Sequence, residues 1–159
     1  KQLLPVGMLV VLDSVFNRII RNRRLGRSTW VYIDEIYLLF QHEYSANFLF
    51  TLWKRVRKYG ACCTGLTQNV DDLLQSHTAR TMLANSEFLV MLNQASTDRA
   101  ELARLLNISD NQLSYITNVD FGRGLIKCGS AIVPFMDHFP KNNLYRLMST
   151  KPSEADAAV

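Results

Sequence analysis

Trp30-Val31-Tyr32-Ile33-Asp34-Glu35 is a short run of β-branched and aromatic residues that is closed by two acids. Apolar side chains on both faces are typical of a parallel strand that is buried in a sheet. The two acids indicate that this strand ends at a polar site. The stretch therefore predicts a buried strand over 30–33 with a charged carboxyl end.

The segment before this strand is predicted to be an amphipathic helix. Leu9, Leu12, Phe16 and Ile19 recur at helical spacing, and Leu25-Gly26 ends the pattern.

After the strand, helical and strand patterns continue to alternate. The sequence predicts a helix over 45–59, a strand over 61–67, a helix over 70–85 and a strand over 88–92. Gly60 is the predicted C-cap of the first of these helices. The β-α-β-α-β order favours an α/β fold with a parallel sheet and crossover helices.

The C-terminal part departs from this alternation. Its predicted elements are helices over 98–106 and 110–117 and a hairpin of strands over 125–128 and 131–133. Ser109 and Gln112 stand at capping-box spacing at the start of the second helix, and Gly129-Ser130 supplies the hairpin turn. The mostly parallel sheet is therefore expected to finish with an antiparallel hairpin.

The composition is that of a globular protein. Of the 159 residues, 48% are hydrophobic and 20% are charged, which suits one domain with its own core. We expect this domain to cover 1–150 and the small, polar residues 151–159 to be disordered. No apolar run approaches the roughly 18 residues of a membrane helix. Because the first residue is Lys1, the chain is expected to be cut from a longer protein.

The cysteines and histidines form no metal-binding pattern. Cys62, Cys63 and Cys128 lack C-x-x-C spacing, and the three histidines are far apart in the sequence. Reduced thiols of a cytoplasmic protein are the expected state of the cysteines.

The formal net charge is +4, and much of the excess lies in two segments. The cations of these segments are Arg18, Arg21, Arg23, Arg24 and Arg27, then Lys54, Arg55, Arg57 and Lys58. Such charge permits contact with nucleic acid or anionic lipid, although a solvated helix face has the same pattern.

Polar residues follow two of the predicted strands. The carboxyl ends of parallel strands meet at one edge of a sheet, so Asp34 and Glu35 should emerge beside Gln68. In nucleotide hydrolases the first acid lies near magnesium, the second near the attacking water, and a glutamine contacts the terminal phosphate or that water. Alternatively, the acids would cap a helix or face solvent, and Gln68 would cap the following helix or bond to loop backbone.

Arg57 lies just before the second predicted strand, at the end of the sheet far from Gln68. It is therefore a candidate arginine finger for the nucleotide of a neighbouring subunit rather than for its own. A surface cation at a helix C-terminus is the alternative. Arg123, between Gly122 and Gly124, is a weaker candidate for phosphate contact, and turn formation is favoured there.

The phosphate-binding loop G-x-x-x-x-G-K-S/T is absent from the sequence. The seven glycines are too dispersed to form it.

Four segments together resemble the conjugative type IV secretion ATPases, and the likeness extends over nearly the whole chain. These segments are Trp30-Val-Tyr-Ile-Asp-Glu-Ile-Tyr-Leu-Leu-Phe40, Arg55-Val-Arg-Lys-Tyr-Gly60, Thr64-Gly-Leu-Thr-Gln-Asn69 and Asn93-Gln94. The resemblance implies a three-layer RecA-like lobe, related to the hexameric motors FtsK and HerA.

The resemblance also implies roles for individual residues. Asp34 and Glu35 match the Walker B acids, with Asp34 holding Mg²⁺ through water, and Gln68 matches the glutamine that senses the γ-phosphate of ATP. Arg57 matches the trans-acting arginine, with Arg55 as its rival. The Walker A residues of the family would lie upstream, so this segment alone is expected to be inactive although the intact protein is an ATPase.

The implied setting is a homo-hexamer on the inner face of the cytoplasmic membrane, in contact with other type IV secretion subunits. Two alternatives remain open. One is a DNA-pumping relative, either a coupling protein or a HerA-type translocase. Salt-dependent DNA binding would favour this alternative. The other is a non-catalytic assembly module of the secretion machine.

Overall fold

The strand of Trp30 and Tyr32 has one parallel partner in the computed structural model, which describes residues 3–149. In chain order, the elements are α1 (Leu3–Arg24), β1 (Thr29–Ile33), a 3-10 helix (Ile36–Phe40), α2 (Glu43–Arg55), a 3-10 helix (Val56–Tyr59), β2 (Ala61–Gly65), α3 (Val70–Gln75), α4 (His77–Ala84), β3 (Phe88–Met91), α5 (Ser96–Leu106), α6 (Asp110–Leu113), a 3-10 helix (Ser114–Ile116), β4 (Arg123–Cys128), β5 (Ala131–Met136) and α7 (Asn143–Met148). The expected disordered tail, 151–159, lies outside the described residues.

The described chain divides into two compact units. The first comprises the residues up to Ser86 together with Thr97–Asn107, and the second comprises Glu87–Ser96 with the residues from Ile108 onward.

The first unit is built around the parallel pair β1–β2, whose register sets Thr29 opposite Ala61 and Ile33 opposite Gly65. Its core includes Ile19 of α1, Leu49 and Leu52 of α2 and Met82 of α4, all at most 4% exposed. These helices were predicted from their apolar spacing, and that spacing provides the buried stripe.

β1 was expected to be buried on both faces, but only one of its faces is buried. Val31 and Ile33 pack against the core of the first unit, whereas Trp30 and Tyr32 are 63% and 66% exposed. Successive side chains of a strand point to opposite faces, so the core helices cover one face of β1.

The predicted helix over 70–85 is two helices, because Ser76 adopts an extended conformation between them. The Ser76 side chain accepts a hydrogen bond from the Ala79 backbone N–H, which makes it the N-cap of α4. The Nε of Arg80 donates to the carbonyl oxygen of Leu74 and satisfies an acceptor at the end of α3.

The second unit contains an antiparallel sheet in the order β3-β4-β5. The predicted hairpin is confirmed, with Gly129 at φ 57° in its two-residue turn. β3 pairs with β4 and runs antiparallel to it, so its predicted place in the parallel sheet is not observed. The predicted capping box of Ser109 and Gln112 is present at the start of α6.

The two helices predicted over 98–106 and 110–117 fall in different units, and the second is shorter than expected. α7 was not predicted, and Asn142 caps it by accepting from the Tyr145 N–H. Within the described range, no helix combines the length and apolarity needed to cross a membrane.

Gly124→Ala is predicted to destabilise the second unit. A Cβ at Gly124 would collide with the carbonyl oxygen of Met91 and lie 2.9 Å from the Phe135 ring. Overpacking of this kind costs about 1–3 kcal/mol. The check is chemical unfolding, with Gly7→Ala as the matched control. A Cβ at the helical Gly7 meets nothing within 4 Å, so the control should stabilise the chain slightly. Equal stability of the two variants would contradict the proposed contact.

Cys63 is predicted to react with alkylating agents more slowly than Cys62 and Cys128. Burial, with a smaller effect of neighbouring Cys62, raises the pKa of the Cys63 thiol to about 11, and the thiolate is the reactive form. Timed alkylation at pH 8, read by mass spectrometry, should label the exposed Cys62 and Cys128 well before Cys63. Equal labelling rates for all three cysteines in the folded chain would contradict this burial.

Candidate functional site

Asp34 and Glu35 leave β1 at its carboxyl end. The Asp34 side chain is exposed, and its Oδ1 accepts a hydrogen bond from the Glu35 backbone N–H at 3.0 Å. Glu35 adopts the left-handed conformation, with φ 47° and ψ 48°. A non-glycine residue in this region costs on the order of 1 kcal/mol or more, and such strain occurs often at functional sites.

Two backbone hydrogen bonds join this turn to the end of β2. Leu66 N–H donates to the Ile33 oxygen at 2.8 Å, and Ile36 N–H donates to the Leu66 oxygen at 2.9 Å. The Asp34-Glu35 turn is therefore closed on both sides by Leu66. The two strand ends lie side by side, as the sequence predicted.

Gly65 makes room for the side chain that follows Glu35. Ile36 is 5% exposed, and a Cβ at Gly65 would lie 2.5 Å from its Cδ1. The absence of a side chain at Gly65 therefore lets Ile36 pack over the end of β2 and anchor the turn.

Gln68 lies two residues after this junction and is exposed. The cap of α3 comes from Asn69, whose Oδ1 accepts from the Asp72 N–H at 3.2 Å. Thr67 Oγ1 accepts from the Asn69 N–H at 3.1 Å and shapes the loop. Sequence reasoning considered Gln68 for the cap and missed Asn69, although Asn is a favoured N-cap residue.

Glu35 carries an orphaned oxygen. Its Oε2 is buried and has no hydrogen-bond partner within the described part of the chain. A buried acceptor without a donor is costly, so this position suits an additional donor such as a bound water.

The side chains of Asp34, Glu35 and Gln68 offer oxygen atoms as metal ligands at this rim. Oxygen ligands are the kind that Mg²⁺ prefers. Among the residues described, no three His, Cys, Asp or Glu side chains converge as a metal cage. Magnesium is commonly held by one or two carboxylates, waters and substrate phosphates, and this rim fits that mode.

A cavity beside Asp34 has the wrong chemistry for phosphates. It has a volume of about 780 Å³ and lies between α1, β1 and α2. Its lining is mostly apolar, with Met8, Val11 and Leu52 among the contacts, and Asp34 is its one charged residue among those described. The polar rim formed by the two strand ends is therefore the better candidate for the nucleotide.

Arg57 and Arg55 lie at the other end of β2. Arg55 is the last residue of α2, Arg57 is in the 3-10 helix Val56–Tyr59, and both are exposed. Gly60, at φ 64°, ends this helix as predicted. Five strand residues span roughly 16 Å, so neither arginine is near Gln68 of the same chain.

Arg123 begins β4 in the second unit and pairs with Asp120 at 3.6 Å. Gly122 has φ 79°, and a Cβ there would collide with the carbonyl oxygen of Asp137. These features fit the turn interpretation of this segment.

The family model of the TraG P-loop domain matches residues 1–123. The structure of VirB4 of Thermoanaerobacter pseudethanolicus is similar at a TM-score of 0.73 and 27% identity, over 82% of this chain and 36% of that one. No curated protein gives a significant match.

The chain thus spans little more than a third of the VirB4 structure that it resembles. The similarity confirms the α/β P-loop fold, and the family model covers well over half of the 159 residues. The chain belongs to the TraG P-loop domain family.

Proposed function

We propose that this chain is the C-terminal part of an ATP-hydrolysing motor that energises conjugative type IV secretion. The observation that carries the proposal is the junction at Leu66, which brings Asp34, Glu35 and Gln68 to one rim of a parallel sheet. The family is a P-loop family, and in the intact protein the nucleotide would lie between its phosphate loop and this rim.

Asp34 would hold Mg²⁺ through a coordinated water, since Oδ1 of its exposed carboxylate caps the turn and Oδ2 has no hydrogen bond from the described residues. When bound, the ion would neutralise negative charge on the phosphates of the nucleotide. Gln68 would donate its amide N–H to the γ-phosphate. Its side chain is available for this contact because Asn69 provides the cap of α3.

Glu35 would accept a hydrogen bond from the attacking water and orient it. The buried Oε2, which has no hydrogen-bond partner among the described residues, would be the acceptor for that water. The left-handed backbone and the anchored Ile36 fix the carboxylate before substrate arrives, and this preorganisation avoids the cost of ordering it during the reaction.

Arg57 would act on the nucleotide of a neighbouring subunit. It is exposed and about one strand length from its own acids, so it completes a site only in trans. Arg55 is the rival for this role, and Arg123, paired with Asp120, is a weaker one. A ring of six copies at the inner face of the cytoplasmic membrane, beside other secretion subunits, is the assembly that we propose.

Glu35→Gln is predicted to abolish turnover in the chain extended upstream through its phosphate loop. The loss of a positioned base should lower the ATPase rate by about 10²–10⁴ while ATP binding is retained. Steady-state hydrolysis and nucleotide binding are the measurements. Glu43→Gln is the matched control, because Glu43 is an exposed carboxylate in the first turn of α2. Equal ATP hydrolysis by the Glu35→Gln variant and the wild type would contradict the proposed role of Glu35.

The ATPase activity lost in the Arg57→Ala variant is predicted to return when that variant is mixed with Glu35→Gln subunits. The homomer should lose about 10³–10⁵ in rate, as trans-acting arginines do elsewhere. Mixed with Glu35→Gln subunits, it should regain activity, because about a quarter of the heterologous interfaces then combine an intact Glu35 with an intact Arg57. Arg55→Ala is the control and should keep most of its activity alone. If the mixture stays as inactive as its parts, Arg57 does not act in trans.

A further inference from the structure

The loop of Gln68 leads directly into α3, a helix of six residues. Three of the six side chains are buried, and the helix packs against α4 and against the 3-10 helix that follows Glu35. A helix this short is not stable by itself, so its packing and the groups that bond to its ends hold it in place. Because packed elements move as units, a movement of the loop is passed to α3 as a whole.

The two ends of α3 are bonded to different parts of the chain. At its beginning, Asn69 Oδ1 accepts from the Asp72 N–H, which ties the helix to the Gln68 loop. At its end, the Nε of Arg80, from α4, donates to the carbonyl oxygen of Leu74. Carbonyl groups of the last helical turn have no partner within the helix, so the Arg80 side chain provides one from outside.

The same guanidinium also bonds to α5. Its Nη2 lies 3.4 Å from Oε2 of Glu101, and the two side chains are 39% and 43% exposed. An arginine fork donates in two directions at once with fixed geometry, so Arg80 holds the end of α3 and the middle of α5 at one point. Ion pairs that are partly open to solvent stabilise a fold only weakly. Stability alone is therefore a weak reason for this arrangement.

A cavity of about 210 Å³ lies beside this ion pair. It is lined by Leu74, Arg80, Glu101, Arg104 and Leu105. The end of α3 and the facing side of α5 are thus incompletely packed here, and Arg80 spans the space between them. Such a space can accommodate a helix shift of about 1–2 Å, which is the size of shift found in switching proteins.

The chain enters α5 from the second unit and leaves it to the second unit. The segment Thr97–Asn107 belongs to the first unit, whereas Glu87–Ser96 and the residues from Ile108 onward belong to the second. A displacement of α5 is therefore transmitted along the backbone, in both directions, to the second unit.

We propose that Arg80 is a positioning residue that couples the Gln68 loop to α5. When Gln68 engages the γ-phosphate, α3 shifts with the loop, and the bonds from Leu74 through Arg80 to Glu101 carry that shift to α5. The second unit then responds to the terminal phosphate. This inference rests on the proposed contact of Gln68 with the γ-phosphate and adds the route by which that contact is communicated.

The test is hydrogen exchange, read by mass spectrometry, in the chain extended upstream through its phosphate loop. A non-hydrolysable ATP analogue should slow exchange in both α3 and α5 of the wild type. In Glu101→Ala, the slowing should remain in α3 and be lost in α5, because Arg80 still bonds to Leu74. In Arg80→Ala, α3 should exchange about tenfold faster even without nucleotide, and α5 should again fail to respond.

Two further variants serve as controls. Arg104→Ala removes an exposed arginine that lines the same cavity and joins no ion pair among the described residues. It should respond to the analogue like the wild type. Glu101→Gln should keep most of the α5 response, because its amide oxygen still accepts from Arg80.

Steady-state hydrolysis tests whether Arg80 acts through Gln68. Arg80→Ala should lower kcat by about tenfold, the size of a typical coupling between sites. Combined with Gln68→Ala, it should cause no further loss, since a residue that acts through Gln68 has no effect once Gln68 is removed. A residue that only stabilised the fold would lower kcat by the same factor in both backgrounds.

Three results would overturn the inference. The first is a normal α5 response in Glu101→Ala, which decides the matter even if Arg80→Ala is too unstable to measure. The second is a further loss of kcat in the double variant. Both leave the proposed role of Gln68 standing as long as α3 of the wild type responds to the analogue. The third is an α3 that does not respond in the wild type although the analogue binds, and this result would remove the proposed role of Gln68 as well.

Discussion

The parallel pairing of β1 with β2, closed by the two hydrogen bonds at Leu66, is the constraint on which the first unit depends. It sets the acids of one strand end beside the loop of Gln68. It also gathers the helix C-termini at the opposite edge. The separation of charge along the strands follows from this pairing, because each β-α-β step returns the chain to the same edge.

The Leu66 junction also couples two groups that are distant in sequence. Glu35 is held in a left-handed turn between Ile33 and Ile36, and the backbones of both of these residues form hydrogen bonds with the backbone of Leu66. A shift of Leu66 would therefore move the carboxylate and the Gln68 loop together. The close approach of Ile36 to Gly65 makes this junction stiff, since packed interfaces change arrangement in discrete steps rather than by gradual deformation.

Local pattern was enough to predict β1, β2, the hairpin and the polar strand ends, because apolar runs, turn residues and strand-end acids are short-range signals. The break at Ser76 was missed because its flanking residues keep helical spacing on both sides of it. The antiparallel partner of β3 was missed because pairing depends on a strand more than thirty residues away. In the candidate site, the positions of the polar residues at the strand ends could be foreseen, and the Asn69 cap had a sequence signal that was missed. The left-handed conformation of Glu35 could not be foreseen, because it depends on exact backbone geometry.

The solvent-exposed aromatic face of β1 has a consequence for the solubility of the chain. Trp30 and Tyr32 stand outward on a sheet of only two strands, each with a single partner in the described chain. Open strand edges and exposed aromatic surface are the features that drive edge-to-edge aggregation. Produced by itself, this chain should therefore be prone to form inclusion bodies.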